Sequence, residues 1–419
     1  MQLMETKPMI ELHAKAEQLD QSDPLSIHRA KFSLPKDVIY LDGNSLGPPS
    51  KTALAMLEES ARTQWAADLI KSWNSHDWIS LPQRVGASIA PLIGANAEQV
   101  IACDSISVNL FKILSAIIRG SDRTTILLQE DNFPTDNYVA QGLAQFTQGK
   151  VRLRYAPPDQ LTQALDDDVA ALLLSHVHYR TGERYDLEGI AKFAHASGAK
   201  IIADLAHSAG VLDLRLNDWD VDFAVGCGYK FLNGGPGAPG FIFAKASAEA
   251  AATSALQGWM GHDSPFEFKA EQKTASGMKG FLVGTPPILS MSALMGALSD
   301  FEGIPLIELE SKALALGHTF LTALDQLELL ESLPLISPIV QEKRGAQLSF
   351  SHPDAYAISQ ALISEGVIGD FRAPNVLRFG FSPLFLSFAD TVNAALKLKE
   401  IMDNQIYTQK RFQTKNKVT

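Results

Sequence analysis

The sequence predicts an α/β fold built on a mostly parallel sheet, in a chain of 419 residues that is long enough for two domains. Short apolar runs of strand length alternate with helical patterns, as in parallel sheets joined by crossover helices. The run 200–203 ends at Asp204, and the run 170–174 ends at Ser175. Because ligand sites in open α/β sheets lie at the carboxyl ends of strands, we expect the functional residues at these positions.

Composition excludes several functional classes. The net charge is −11, from 36 basic and 47 acidic residues, which argues against binding to nucleic acid or to an anionic membrane surface. The sequence has no apolar stretch of about 20 residues that could span a membrane, and the N-terminus lacks a signal-peptide core. Cys103 and Cys227 form neither a disulfide framework nor a CxxC metal pattern. We therefore expect a cytoplasmic enzyme without a bound metal.

The element pattern can be followed along the chain. Met9, Leu12, Ala16 and Leu19 predict one apolar helical face, and Ser50 is expected to cap a helix. The basic tail after residue 405 is expected to fray. Strands are predicted at 38–41, 99–103, 125–128, 170–174, 200–203, 221–225, 240–244, 345–351 and 375–381, and helices within 1–37 and at 50–73, 110–118, 186–196, 288–301 and 354–365.

The strongest indication of catalytic chemistry in the sequence is a lysine in a predicted loop. Tyr229 and Lys230 follow the strand 221–225 and precede the breaker-rich segment 233–237. A lysine among apolar and small neighbours is partly desolvated, which lowers its pKa and makes it a nucleophile for carbonyl groups. A carboxylate such as Asp204 can hold a pyridinium nitrogen protonated, so the pair indicates pyridoxal phosphate (PLP). Taken singly, Asp204 could cap a helix and Lys230 could be an ordinary loop residue.

Three further positions admit both a functional and a structural interpretation. Ser105 and Ser107 at a helix start could bind a phosphate or only cap the helix. Phe133 could stack on a flat cofactor or belong to the core. Arg378 lies among apolar residues and therefore needs an anion, which could be a substrate carboxylate or an internal acid.

Other clusters of chemically distinctive side chains carry weaker signals. His176 and His178 share one face of a strand, but no third ligand at a sensible spacing follows, so we interpret them as structural or pocket-edge residues. Trp65, Trp73 and Trp78 are typical of a core or an interface, and a role in binding an aryl substrate is an alternative.

Several motifs together resemble the kynureninase family of fold-type I PLP enzymes, in the aspartate aminotransferase superfamily. They are DLAHSAG (204–210), NDWDVDFA (217–224), YKFLNGGPG (229–237), YLDGNSLG (40–47), FPTD (133–136) and RFGFSPLF (378–385). The resemblance implies a large PLP-binding domain (61–290) with a seven-stranded sheet. It also implies a smaller α+β domain (291–419), which the N-terminal segment (1–60) would join.

The resemblance also implies roles for individual residues. Lys230 would hold PLP and move the substrate Cα proton, Asp204 would pair with the pyridinium nitrogen, and Tyr229 would bind phosphate and could relay a proton. Asn44, Ser45 and Arg378 would bind the substrate, with Arg378 on its α-carboxylate. The implied cofactor-binding residues are Ile106 (through its backbone), Ser107, Phe133, Asp136, Ser175, Asp204, His207, Tyr229 and Lys230, together with Trp259 and Thr285 from the partner subunit of a homodimer.

The implied reaction is hydrolytic Cβ–Cγ cleavage of L-kynurenine, with 3-hydroxykynurenine as a second substrate, in tryptophan degradation or NAD biosynthesis. The products would be anthranilate and L-alanine. A cysteine desulfurase or selenocysteine lyase is an alternative, but it needs a reactive cysteine in the C-terminal half, and the sequence has none after Cys227. An aminotransferase fits the tryptophan-rich and FPTD segments less well. An inactive homologue acting as a scaffold is disfavoured because Lys230, Asp204 and Arg378 are all present.

Overall fold

The computed structural model describes residues 7–249 and 252–415. The strands are β1 (Ile39–Tyr40), β2 (Val100–Ala102), β3 (Thr125–Gln129), β4 (Arg152–Ala156), β5 (Val169–Ser175), β6 (Lys200–Asp204), β7 (Phe223–Cys227), β8 (Gly240–Ala244), β9 (Gln347–Ser351), β10 (Val367–Ile368), β11 (Asp370–Arg372) and β12 (Val376–Gly380). The α-helices are α1 (Lys7–Ser22), α2 (Lys51–Glu59), α3 (Ser72–Ser75), α4 (Leu81–Ile89), α5 (Ile106–Arg119), α6 (Pro134–Phe146), α7 (Leu187–Ser197), α8 (Ala246–Glu249), α9 (Ile288–Ser299), α10 (Leu306–Gln326), α11 (Ala355–Ser364), α12 (Phe388–Asp403) and α13 (Lys410–Gln413).

The main sheet has seven strands in the order β2-β8-β7-β6-β5-β3-β4. Strands β4, β3, β5, β6 and β7 run parallel, whereas β8 is antiparallel to both of its neighbours. Every residue of β5, an inner strand of the sheet, is buried, because a parallel sheet is covered on both faces. The predicted α/β class and mostly parallel seven-stranded sheet are confirmed. The carboxyl ends of β5, β6 and β7 meet at one edge.

A second, three-stranded sheet forms in the C-terminal part of the chain, in the order β11-β12-β9. The rings of Phe320 on α10 and Phe379 on β12 lie 5.0 Å apart and form part of its core. The N-terminal segment joins this region through β1, which pairs in parallel with β10. The proposed domain boundaries at residues 60 and 290 stay a prediction.

The predicted continuous helix over 50–73 is wrong. Ser50 does cap α2 by accepting a hydrogen bond from the Ala53 N–H at 3.1 Å, but α2 ends at Glu59 and a π-helix follows over 60–68. The wider turn is held by tertiary contacts of Gln64, whose carbonyl accepts from the Ser72 hydroxyl at 2.6 Å and whose side chain accepts from the Trp78 indole at 2.8 Å. The helix propensities of residues 60–68 do not indicate these contacts with Ser72 and Trp78.

Two other expectations need correction. Helix α5 begins four residues earlier than predicted, at Ile106, because the Ser105 hydroxyl caps it. The tail does not fray immediately after residue 405, since α13 forms and the Phe412 side chain is buried. Residues 416–419 lie outside the described chain. Among the helices that the structure describes, none combines the length and apolarity needed to cross a membrane.

Candidate active site

One cavity lies at the carboxyl ends of β5, β6 and β7. Its wall includes Lys230 from the loop after β7, Asp204 at the end of β6, and Phe133 before α6. It brings together most of the cofactor-binding residues expected from the sequence. The lining residues are Ser105, Ile106, Ser107, Phe133, Thr135, Ser175, Tyr179, Asp204, Ala206, His207, Cys227, Tyr229, Lys230, Ala238 and Gly240.

The Lys230 amine lies deep in this cavity. Its Nζ is 3.0 Å from His207 Nε2 and 6.0 Å from the centroid of the Phe133 ring. Burial lowers the pKa of the Lys230 amine, and the charges of Cys227 and Asp204 oppose that shift only in part. The amine therefore loses its proton more readily than a surface lysine does, as a nucleophile and proton carrier must.

His207 faces the amine in its uncharged form. Burial, and then the positive charge of Lys230, lower the pKa of His207 well below its usual value. Its Nδ1 is buried and has no hydrogen-bond partner in the described chain. A neutral ring can accept a hydrogen bond from the lysine amine through Nε2, which holds the amine in place without adding a charge.

Asp204 and Asp136 form a buried acidic pair, of which Asp204 lines the cavity. Asp204 accepts a hydrogen bond from the Ala206 N–H at 2.7 Å, and Asp136 accepts one from the Asn132 amide at 2.9 Å. Burial raises the pKa of both carboxyls, and the negative charge of Asp204 raises that of Asp136 further. Two adjacent buried carboxyls cannot both ionise cheaply, so Asp136 keeps its proton and Asp204 is the member that carries charge.

The opposite end of the cavity is the N-terminus of α5. The Ser105 hydroxyl caps the helix by accepting from the Val108 N–H at 3.4 Å, whereas Ile106 and Ser107 line the cavity. A Cβ added to Gly240 would lie 2.9 Å from the Gly226 carbonyl oxygen and 3.3 Å from the Ile106 nitrogen, so glycine lets the backbones approach here. The capping interpretation of Ser105 is confirmed, whereas phosphate binding by Ser107 and the helix N–H groups stays a prediction that the cap does not oppose.

These features fit PLP. A flat ring could lie against Phe133, whose side chain is 42% exposed, with its nitrogen toward Asp204 and its phosphate at α5. The Lys230 amine lines the same cavity and lies next to His207, whose Nδ1 has no hydrogen-bond partner in the described chain. Ser175 joins the same wall, and its hydroxyl donates to the Asn132 side chain at 2.5 Å. The cavity wall therefore contains an acid, a lysine and the N-terminus of a helix, which are the groups that would hold the ring nitrogen, the aldehyde and the phosphate of PLP.

The N-terminal loop reaches the lysine loop. The Gly47 N–H donates to the Tyr229 carbonyl at 2.7 Å, and a Cβ at Gly47 would lie only 2.3 Å from the Lys230 carbonyl oxygen. Asn44 is fully buried, and neither atom of its amide has a partner in the described chain. Asn44 is not among the residues that line the cavity, so its predicted role in binding the substrate stays a prediction.

Arg378 has an internal acid as its partner. It forms an ion pair with Asp370, which lies opposite it in the β11–β12 hairpin, and its Nη1 donates to the Tyr179 carbonyl at 2.5 Å. Ser45 bridges the pair, donating to Asp370 at 2.6 Å and accepting from Arg378 at 2.9 Å. The internal salt bridge considered for Arg378 therefore exists, and contact with a substrate carboxylate stays a prediction.

Some predicted residues lie outside the cavity of a single chain. The Trp259 side chain is 40% exposed and packs edge-on against Phe266 at 5.8 Å, and Thr285 is also exposed. Trp65 is exposed as well, whereas Trp78 is buried and packs against Trp73 at 5.9 Å. The predicted contribution of Trp259 and Thr285 from a partner subunit stays a prediction.

The two histidines have ordinary surroundings. His178 Nε2 lies 2.9 Å from the Asp131 carbonyl oxygen and its Nδ1 lies 3.0 Å from the Thr181 hydroxyl. His176 is buried against Trp219, and burial lowers its pKa to about 3. Within residues 7–249 and 252–415, no three His, Cys, Asp or Glu side chains are placed to hold a metal ion.

Sequence reasoning missed Asp42, Asp370 and Arg372. The pattern Asp370-x-Arg372 before the turn residues 373–375 could have indicated a hairpin that places both residues beside Arg378. Arg372 Nη2 lies 2.8 Å from Asp370 and donates to Ser45 at 3.2 Å. Burial, and then the charge of Asp370, raise the pKa of the Asp42 carboxyl to about 7.

Comparison with known proteins identifies related sequences along nearly the whole chain. Residues 309–398 match the family model "Kynureninase C-terminal domain". The kynureninase of Deinococcus radiodurans is 46% identical over 401 residues, which cover 94% of this chain and 97% of the relative. The kynureninase of Pseudomonas fluorescens is 40% identical over 407 residues, covering 96% and 98% of the two chains.

Solved structures share the fold at lower identity. A cysteine desulfurase from Thermococcus onnurineus superposes with a TM-score of 0.75 at 17% identity, covering 92% of this chain and 98% of that one. A variant of the lyase C-DES, with glycine covalently linked to its PLP cofactor, gives a TM-score of 0.76 at 17% identity and covers 88% and 98% of the two chains. These likenesses establish the fold alone.

The raised pKa of Asp42 predicts a pH effect on stability. Between its unfolded value of 3.8 and its folded value of about 7, the folded protein binds a proton that the unfolded chain has released. Stability from this group therefore falls as pH rises through that window. Asp42→Asn should remove this fall. On going from about pH 5 to about pH 8, the free energy of unfolding of the variant should therefore rise by roughly 2 kcal/mol relative to that of the unchanged protein. Thermal unfolding midpoints at both pH values measure the effect.

Asp166→Asn provides a control of opposite sign. Asp166 is on the surface, and hydrogen bonding to Arg154 lowers the pKa of its carboxyl. The stability that ionised Asp166 contributes is lost as pH falls, which is the opposite direction to Asp42. Asp166→Asn should therefore not raise the stability at pH 8 relative to pH 5 as Asp42→Asn does. Identical pH dependence in Asp42→Asn and the unchanged protein would rule out a raised pKa at Asp42.

Proposed function

The chain belongs to the kynureninase family, and we propose on that basis that it hydrolyses the Cβ–Cγ bond of L-kynurenine to anthranilate and L-alanine, with PLP as cofactor. The observation that carries the proposal is the Lys230 amine, which lies 3.0 Å from His207 in a cavity that Asp204 and the N-terminus of α5 also line. We include 3-hydroxy-L-kynurenine as a second substrate. The cysteine desulfurase, selenocysteine lyase and aminotransferase alternatives are not favoured, because the curated relatives at 40% and 46% identity are kynureninases.

PLP, when bound, supplies an electron sink for the carbon atoms next to the substrate amine. Lys230 would hold PLP, and its amine can take the proton from the substrate Cα because its pKa is lowered by burial. Neutral His207, 3.0 Å away, orients that amine. Asp204, when ionised, would keep the ring nitrogen of the cofactor protonated, and Asp136, whose pKa is raised further, would stay neutral beside it.

Tyr229 is suited to donate a hydrogen bond. Burial raises the pKa of its phenol, so the hydroxyl keeps its proton near neutral pH. Tyr229 lines the cavity next to Lys230, where a protonated phenol can bind a phosphate oxygen or pass a proton to a reacting atom. The Phe133 ring fixes the plane of a flat group and contributes about 1 kcal/mol beyond its buried area.

We also propose that the enzyme is a homodimer with an active site shared between subunits. Large apolar side chains are exposed on the single chain at Trp65 (56%), Leu69 (61%) and Ile70 (78%), and aromatic side chains are exposed at Trp259 and Phe266. Exposed apolar groups at this density are typical of an interface. A partner subunit would bring Trp259 and Thr285 to the cofactor phosphate.

Lys230→Ala tests the proposed chemistry. The variant should lose the visible absorbance of the lysine-bound cofactor and at least about 1,000-fold of the kynurenine cleavage rate, since no other amine of the cavity wall can replace it. Absorbance spectra and anthranilate fluorescence after addition of L-kynurenine measure both. Lys192→Ala is the control, because Lys192 is exposed and pairs with Glu188 on the surface at 2.7 Å.

If Lys230→Ala and Lys192→Ala both lost the cofactor absorbance and the cleavage activity, the loss could not be attributed to the position of Lys230 in the cavity. Unchanged cleavage in Lys230→Ala would remove the proposed function. Bound PLP without any cleavage of L-kynurenine by the unchanged protein would keep the fold and cofactor but require another substrate, with 3-hydroxy-L-kynurenine tested first.

The shared site can be tested by subunit mixing. Trp259→Ala should lose about 10-fold or more of activity, and Lys230→Ala should be inactive. Refolding equal amounts together should restore about a quarter of the unchanged activity, because half of the dimers are mixed and each mixed dimer has one intact site. Recovery no greater than the sum of the separate variants would contradict a shared site.

A further inference from the structure

Lys112 is a buried cation that the proposed chemistry does not use. It lies in the second turn of α5, and its side chain is fully buried. A lysine is almost never fully buried unless its charge is paired. Lys112 is not among the residues that line the cavity, so it has no direct contact with a ligand there. Any effect of this residue on the site must therefore act through its partners.

The Lys112 ammonium is fully engaged by neighbouring groups. Its Nζ forms an ion pair with Asp104, donates to the Phe281 carbonyl at 2.6 Å and lies 3.6 Å from Cys103 Sγ. An ammonium has three N–H donors, and these three contacts use all of them. Because Asp104 balances its charge, the pair adds no net charge to this end of the cavity.

Asp104 is the residue through which Lys112 acts on the helix N-terminus. It immediately precedes the cap residue of α5, and its φ of 45° lies in the left-handed region that few residues other than glycine adopt. Its carbonyl accepts a hydrogen bond from the Gly240 N–H at 2.7 Å, while Lys112 holds its side chain. The chain enters α5 through this turn. The turn therefore sets the direction of the N–H groups of Ile106 and Ser107, which line the cavity.

The Phe281 contact ties the same helix end to a second segment. Two residues after Phe281, the Val283 carbonyl accepts a hydrogen bond from the Met260 N–H at 3.2 Å. Met260 directly follows Trp259 in the chain. Lys112 thus connects the N-terminus of α5 with the loop that carries Trp259.

We propose that Lys112 is a positioning residue for the cofactor phosphate, because its ammonium holds the Asp104 turn in the conformation that presents the first N–H groups of α5 to the cavity. The inference rests on the PLP site of the proposed function. It assigns to Lys112 an effect of position, since its charge is already balanced within the ion pair. The loss of Lys112 should therefore weaken the binding of ligands that carry a phosphate and spare those that lack one.

The test separates binding of the phosphate from binding of the rest of the cofactor. PLP and pyridoxal share the ring and the aldehyde, whereas only PLP has the phosphate. Each is titrated into protein freed of its cofactor while the absorbance of the lysine-bound cofactor is followed. Lys112→Met should raise the apparent Kd of PLP by about 10- to 100-fold, the loss expected for charge-assisted hydrogen bonds, and should change that of pyridoxal by less than about threefold.

A double variant separates position from charge. Lys112→Met alone leaves the Asp104 carboxylate unpaired, and that charge would repel a phosphate. Lys112→Met combined with Asp104→Asn has no unpaired charge, and asparagine tolerates the left-handed backbone. If Lys112 acts by position, the double variant still binds PLP about 10-fold or more weakly than the unchanged protein. The double variant also serves if Lys112→Met does not fold.

Phosphorus NMR gives a second readout that does not depend on affinity. In protein saturated with PLP, the resonance of the cofactor phosphate should shift in the double variant, because the N–H groups around it have moved. Lys192→Met is the matched control, since it removes a surface lysine that is paired with Glu188. It should leave both titrations and the phosphorus resonance as in the unchanged protein.

Three results would overturn the inference. One is PLP binding by both Lys112 variants as tight as in the unchanged protein. Another is an equal loss of PLP and pyridoxal, which a purely structural role would give. The third is full recovery of PLP affinity in the double variant, which would assign the loss to repulsion by Asp104. Failure of the proposed function is distinguishable, since an unchanged protein that binds PLP but does not cleave L-kynurenine still reports on Lys112.

Discussion

Burial of a single amine organises this site. Lys230 follows a buried strand, and its amine lies between the Phe133 ring and His207, where water cannot fully solvate a charge. The lowered pKa follows from that placement, and so does the need for a neutral histidine as neighbour. The loop itself is held by the N-terminal segment, because Gly47 packs against the Lys230 backbone with no room for a side chain.

The charged groups around the Lys230 amine come from separate elements of the fold. Asp204 lines the cavity with Asp136 buried beside it, and Ile106 at the N-terminus of α5 lines the same cavity. In the proposed function, Asp204 would meet the ring nitrogen of PLP and the N-terminus of α5 would meet its phosphate. The two arginines Arg372 and Arg378 come from the C-terminal hairpin. Docking of the C-terminal sheet against the parallel sheet is therefore needed to complete the site.

The sequence predicted much of the fold and of the cofactor end of the site, because those signals are local. Apolar runs ending in Asp204 and Ser175 are visible in the chain, and so is Lys230 before a glycine-rich loop. The partner of Arg378 could not be predicted with the same ease, because Asp370 comes from the opposite strand of a hairpin whose register must be known. The π-helix at 60–68 depends on contacts with Ser72 and Trp78, which propensity does not encode.

Burial lowers the pKa of one particular amine, that of Lys230. Carbon NMR of protein labelled at the lysine Cε, freed of PLP and titrated with base, measures it directly, with Lys230→Ala assigning the signal. We predict a Lys230 pKa below the ordinary 10.5, whereas surface Lys192, paired with Glu188, should lie above it. A Lys230 pKa at or above 10.5 would contradict the account.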